Sequence, residues 1–178
     1  VEKAVLAGHS MGTPVIRQFY RLFPGKTLAL VAVDGAFRPY STDPKFVDQM
    51  VSPYQGADYK ESIGKFVDFM FGPTTPEELK KSVKTSMQGA SQHVAVSSMR
   101  AMFDPAIWTD DPVKVPTLLI LAKSPFWTAE YEAYVRKLIP DVDYRVMDGV
   151  SHFLMMEKPD AFNAILVEFL TKRGFAKA

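Results

Sequence analysis

Residues 6–14 read Leu6-Ala7-Gly8-His9-Ser10-Met11-Gly12-Thr13-Pro14. Ala4 to Ala7 form a short apolar run that ends at a glycine, the pattern of a buried strand. Beyond the stretch, Val15, Ile16, Phe19, Tyr20 and Phe23 recur at helical spacing and predict one apolar helix face. Pro14 suits the first turn of that helix, where a missing N–H is no loss, and Pro24-Gly25 stop it. Between strand and helix stands Gly8-His9-Ser10-Met11-Gly12, a Gly-x-Ser-x-Gly pattern. In this setting the chain must reverse sharply at Ser10, which is expected to take a strained backbone conformation and to expose its hydroxyl. Gly8 and Gly12 are expected where only small side chains fit. The helix start supplies N–H groups and a positive dipole end to any oxyanion forming beside the hydroxyl, and the Met11 N–H is the natural first donor.

Working outward, apolar strands and amphipathic helices alternate. Thr27 to Gly35, TLALVAVDG, is a second buried strand ending in an acid and a glycine. Pro116 to Ala122 is a third, and Val142 to Met147, VDYRVM, a fourth. Ala129 to Ile139 reads as a helix stopped at Pro140, and Pro159 to Lys172 as a final helix with Phe162, Ile165, Leu166 and Phe169 on one face. Apolar strands joined by helical crossovers imply an α/β fold with a parallel sheet covered on both faces. The expected division is a core of residues 1–37 and 112–178, with 38–111 inserted above the carboxyl ends of the strands.

That middle segment carries no strong strand. Phe66, Val67, Phe69 and Met70 suggest a helix, residues 91–103 another, and residues 74–87 a third with a capping pattern in Thr75, Pro76 and Glu78. Its Met and Phe residues read first as the core of a small helical domain, and alternatively as the lining of an apolar pocket. As a helical cap or lid it would favour a small or medium apolar ligand.

The totals narrow the function. The chain has 178 residues, 47% of them hydrophobic, enough for a sizeable core. With 21 basic and 20 acidic residues no sign dominates, and no nucleic-acid partner is expected. Lys80, Lys81 and Lys84 lie beside Glu77 and Glu78 and read as a solvated helix face. Zero cysteines exclude disulfides, thiolate metal sites and a thiol nucleophile. No apolar stretch is long enough for a membrane span. Compartment and oligomeric state are not readable from these features.

A serine nucleophile needs a base, and three histidines are present. His9 lies inside the turn and points away from the serine. His93 sits mid-helix in the insertion. His152 follows the last strand in Asp148-Gly149-Val150-Ser151-His152-Phe153, at the same edge of the sheet as Ser10, because both follow the carboxyl ends of parallel strands. Its Nδ1 requires a carboxylate, to fix the imidazole tautomer and stabilise the imidazolium.

The Gly-x-Ser-x-Gly turn, the helical insertion after the next strand and the ending from Pro140 to Leu170 together resemble the carboxyl-terminal part of an α/β-hydrolase, over almost the whole chain. The resemblance implies an ester, lipid, lactone or related hydrolase with Ser10 as nucleophile and His152 as base, and no metal or organic cofactor. C–C hydrolases and perhydrolases of the same family would use the same triad. Most such relatives carry an Asp a few residues after the strand that ends here at Ala122. This chain reads Lys123-Ser124-Pro125-Phe126-Trp127 there and lacks it. Some branches place the acid one strand earlier, which selects Asp34. Glu130 is the alternative acid, and Asp148, too near His152 in sequence, reads as a turn residue.

Relatives also carry strands before the serine turn and a loop with a second oxyanion donor, neither of which fits before Leu6. The expectation is a fragment or truncated gene product whose first strand has an uncovered, association-prone edge. The function expected is a Ser-His-Asp hydrolase of a small apolar carboxylic ester or lactone. The alternative is a non-catalytic member of the same fold that binds a small ligand or is inactive.

Overall fold

The computed structural model describes residues 1–176. They divide into two compact units, one of Val1–Phe37 with Thr109 onward, the other Arg38–Trp108.

The first unit holds β1 (Ala4–His9), α1 (Gly12–Leu22), β2 (Thr27–Val33) and, after the second unit, β3 (Thr117–Ala122). Numbered after the four longer helices of the second unit, α6 (Ala129–Leu138), β4 (Val142–Met147), α7 (Leu154–Glu157) and α8 (Pro159–Lys172) complete it. The four strands run parallel in the order β1-β2-β3-β4. Right-handed crossovers in one direction put α1 and α6 on the same face and leave the other to α8. The core follows that rule through the strand period of two. Leu30, Ala32, Leu119 and Leu121 pack with Ile16, Tyr20, Tyr131 and Val135 from α1 and α6. Val31, Val33, Leu118 and Ile120 point the other way and pack with Leu154 and Phe169.

The helix α1 departs from its expected pattern. Its inward stripe is Thr13, Ile16, Arg17 and Tyr20, at the same i, i+3, i+4, i+7 spacing but with two polar members. Val15, Phe19 and Phe23, expected on the buried face, are exposed, and the Phe23 ring lies tilted against that of Phe19 with centroids 5.1 Å apart. Arg17 is buried because its fork meets backbone acceptors. It donates to the Phe37 carbonyl at 2.9 Å and to that of Thr109. Burial pushes its pKa down.

The second unit is helical: α2 (Pro44–Val51), α3 (Tyr59–Phe69), α4 (Glu77–Gln88) and α5 (Gln92–Met102). Its buried hydrophobic residues are Val51, Tyr54, Ile63, Val67 and Val83, whereas Phe69 is exposed, so β-branched residues and Tyr54 rather than Met and Phe fill its centre. The expected cap at Thr75 is not formed. Pro76 is the N-cap of α4 and makes no side-chain cap bond, and the Thr75 hydroxyl accepts from the Gly72 N–H at 3.0 Å instead. The sequence reading missed α2, which Asp43 caps by accepting from the Lys45 N–H at 2.9 Å. Lys80 pairs with Glu77 and Lys84 with Asp68 on exposed surface.

Candidate active site

Only two non-glycine residues among those described have positive φ, Ser10 at 54° and Asp34 at 43°. Both terminate parallel strands at the same sheet edge. Such backbone costs on the order of 1–3 kcal/mol per residue and persists where the surroundings over-determine it. Here the ladder does so. The Ser10 N–H donates to the Val33 carbonyl and the Asp34 N–H to that of Ile120, each at 2.8 Å. The turn closes with the Thr13 N–H on the Ser10 carbonyl at 2.9 Å, and Met11 stands at the N-cap of α1.

The glycine requirement differs from the expected one. A Cβ at Gly8 would come within 2.3 Å of the Gly12 carbonyl oxygen, so strand and helix start allow no side chain there. A Cβ at Gly12 would meet nothing within 4 Å, so it is the Gly12 backbone, not its missing side chain, that the packing uses. The second constrained glycine is Gly35, where a Cβ would fall 2.1 Å from Thr13 Oγ1 and 2.5 Å from the Ser10 carbonyl oxygen. That position was legible only as the end of a strand.

Asp34 and His152, 118 residues apart in sequence, meet with Oδ2 2.7 Å from Nδ1. The other carboxylate oxygen accepts from the Ala122 N–H at 2.9 Å and the Trp127 Nε1–H at 3.2 Å. With three donors around it and only 6% of its surface exposed, the carboxylate is held in one orientation. A proton shared at Nδ1 leaves Nε2 of neutral His152 as the basic nitrogen. Among the described residues no hydrogen bond joins Ser10 to His152. In unliganded sites such contacts are often long and tighten with substrate.

The histidine loop is tied on several sides. Gly149 takes φ 67°, with its N–H on Asp148 Oδ1 at 2.8 Å. The Ser151 N–H donates to Glu157 at 2.8 Å, and its hydroxyl bonds the same carboxylate. His9 Nε2 reaches the His152 carbonyl at 2.8 Å. Glu130, the alternative acid, is exposed in the first turn of α6, and it is Asp34 that lies against His152 Nδ1. His93 is exposed on α5 of the second unit. Asp148 pairs with Lys123 at 2.7 Å on the surface and holds a turn. The sequence reading missed Trp127 and Glu157. Nothing in local spacing marks a tryptophan after β3 as a partner of an acid after β2. No group of three or more His, Asp or Glu among the described residues is arranged to hold a metal, and no described helix is long and apolar enough to cross a membrane.

The model of the alpha/beta hydrolase family matches residues 1–165, and the chain belongs to that family. No curated protein matches by sequence. Among solved structures, it is similar to a thermophilic esterase from Thermogutta terrifontis at TM-score 0.79 and 22% identity, covering 97% of this chain and 66% of that one. An esterase from Exiguobacterium antarcticum gives TM-score 0.80 at 18% identity, covering 96% and 68%. A bromoperoxidase from Bacillus anthracis gives 0.79 at 18%, with the same coverage. The chain thus spans about two thirds of the length of these structures.

Proposed function

We propose that the chain carries the nucleophile, base and acid of a serine hydrolase acting on a carboxylic ester or lactone. Ser10 Oγ attacks the carbonyl carbon while His152 Nε2 takes its proton. The tetrahedral oxyanion rests against the Met11 N–H and the start of α1. Collapse expels the alkoxide, which receives the proton from His152, and leaves an acyl-serine. A water then repeats the sequence, giving its proton to His152 and releasing the acid. Asp34 keeps the proton on Nδ1 and stabilises the imidazolium. The esterases among the similar structures agree with an ester substrate.

The observation that carries this reading is the Asp34–His152 pair at 2.7 Å, with the second carboxylate oxygen fully engaged. A surface ion pair has no need of a strained backbone and two further donors. The test is intact-mass analysis after treatment with a fluorophosphonate, which phosphonylates activated serines. One adduct on the parent chain, and none on Ser10→Ala or His152→Ala, is expected. A cooperatively melting parent that takes no adduct would overturn the reading and favour a member of the family that binds a ligand without turnover.

A further inference from the structure

His9 is the last residue of β1, directly before Ser10, and its ring bonds not a side chain but the main-chain carbonyl of His152, 143 positions away. His9 ends β1 and His152 lies in the loop after β4, and these two strands are at opposite ends of the sheet order, so no ladder brings them together. A carbonyl carries no proton, so Nε2 of His9 must donate. Burial, then the adjacent His152, push the His9 pKa down. The groups whose charge His9 feels are His152 and, in the opposite sense, Asp34. Burial thus favours the neutral ring, and the bond to the carbonyl places its proton on Nε2.

We propose that His9 is a positioning residue for the base, a neutral N–H tether that fixes the main chain of His152 while Asp34 fixes its ring. This rests on the reading of Ser10 and His152 as nucleophile and base. With Oδ2 of Asp34 on Nδ1 and Nε2 of His9 on the carbonyl, residue 152 is held at both ends. What remains is a small arc for its Nε2. The two rings lie 4.6 Å apart between centroids at 45°, and Phe153 packs against both at 5.5 and 5.3 Å. The charges of the two rings are coupled. A charged His9 would oppose the imidazolium that forms on His152, whereas a neutral donor leaves His152 as the ring that gains and loses the proton.

The test compares His9→Phe, which keeps a ring and removes the donor, with His9→Gln, whose side-chain N–H can reach the same carbonyl. Phosphonylation rate at Ser10, kcat and KM on p-nitrophenyl acetate, and Tm are read for each. A base displaced by about an ångström costs roughly 100-fold. His9→Phe is thus expected to slow both phosphonylation and kcat by about 10- to 100-fold with KM within about twofold, and His9→Gln to recover most of that loss. A role in packing alone would lower Tm without separating the two variants in rate. If His9→Phe does not fold, His9→Leu against His9→Gln gives the same contrast. A reactive parent with His9→Phe labelling at the parent rate, or His9→Gln no faster than His9→Phe, overturns the tether. An unreactive parent overturns the hydrolase reading and the tether with it.

Discussion

The loops after β2 and β3 end neighbouring parallel strands at the same edge of the sheet, yet they do opposite work. The loop after β2 supplies the carboxylate, Asp34, and accepts a positive φ to do so. The loop after β3, where relatives of this type most often carry the acid, supplies no acid. It gives the donors instead, the Ala122 N–H and the Trp127 indole N–H. In this chain the carboxylate bonded to His152 Nδ1 comes from the β2 loop and its supporting donors from the β3 loop. A histidine acting as the proposed base requires a carboxylate oxygen at one point in space, in a fixed direction, and here the β2 loop provides it.

The sharpest way to break this comparison is to remove the carboxylate from the β2 loop. Asp34→Asn should lower kcat by about 10⁴, the cost of presenting the wrong tautomer, with KM and Tm close to the parent. Glu130→Gln, in the first turn of α6, should leave steady-state kinetics unchanged. A large loss in Glu130→Gln with a small one in Asp34→Asn would reverse the assignment.

Next in size is backbone packing. Gly35→Ala drives a Cβ to 2.1 Å from Thr13 Oγ1 and 2.5 Å from the Ser10 carbonyl oxygen. It should cost about 3 kcal/mol or more in a denaturant titration. In the β3 loop, Lys123→Ala removes one exposed ion pair with Asp148 and should stay within about 0.5 kcal/mol. Equal losses would mean that the two loops are equally constrained.

Trp127→Phe probes the donor side. It deletes one of three bonds to Asp34 but keeps the ring against Tyr131, 5.0 Å away between centroids. The expected loss is about three- to tenfold in kcat/KM, the size of one hydrogen bond of ~1 kcal/mol. A kcat/KM equal to the parent's would reduce Trp127 to packing.

The smallest effect is in acid stability. His9 is held neutral by burial, with its pKa below the ordinary 6.5. Between the folded and unfolded pKa values the unfolded chain binds more protons, so stability rises with pH through that window. Its contribution is complete above about pH 6.5 and falls as the pH drops below it. Tm measured from pH 7.5 to 5.5 should fall less steeply in His9→Gln than in the parent.

Sequence reading succeeded where a local period carries the structure. Strand runs such as Leu118 to Leu121 can satisfy two apolar faces in only one way, and the four strands and their crossovers follow. It failed where a polar residue is buried by a partner far along the chain. In α1, Thr13 and Arg17 are inward while Val15 and Phe23 are not, because the guanidinium meets the carbonyls of Phe37 and Thr109. At Thr75 the hydroxyl answers Gly72 rather than the helix. The serine turn was legible from Gly8 and Ser10, but the partner glycine proved to be Gly35, since the constraint comes from the neighbouring strand.

By itself, then, the sequence determined the order of strands and helices, the serine at the strand-to-helix turn and the histidine after the last strand, because each is written in a few consecutive residues. The tertiary structure decided which carboxylate meets that histidine, what holds it, and that His9 reaches across to the same loop. Those contacts join residues from 88 to 143 positions apart, and local propensity carries no information about which of several distant side chains will arrive.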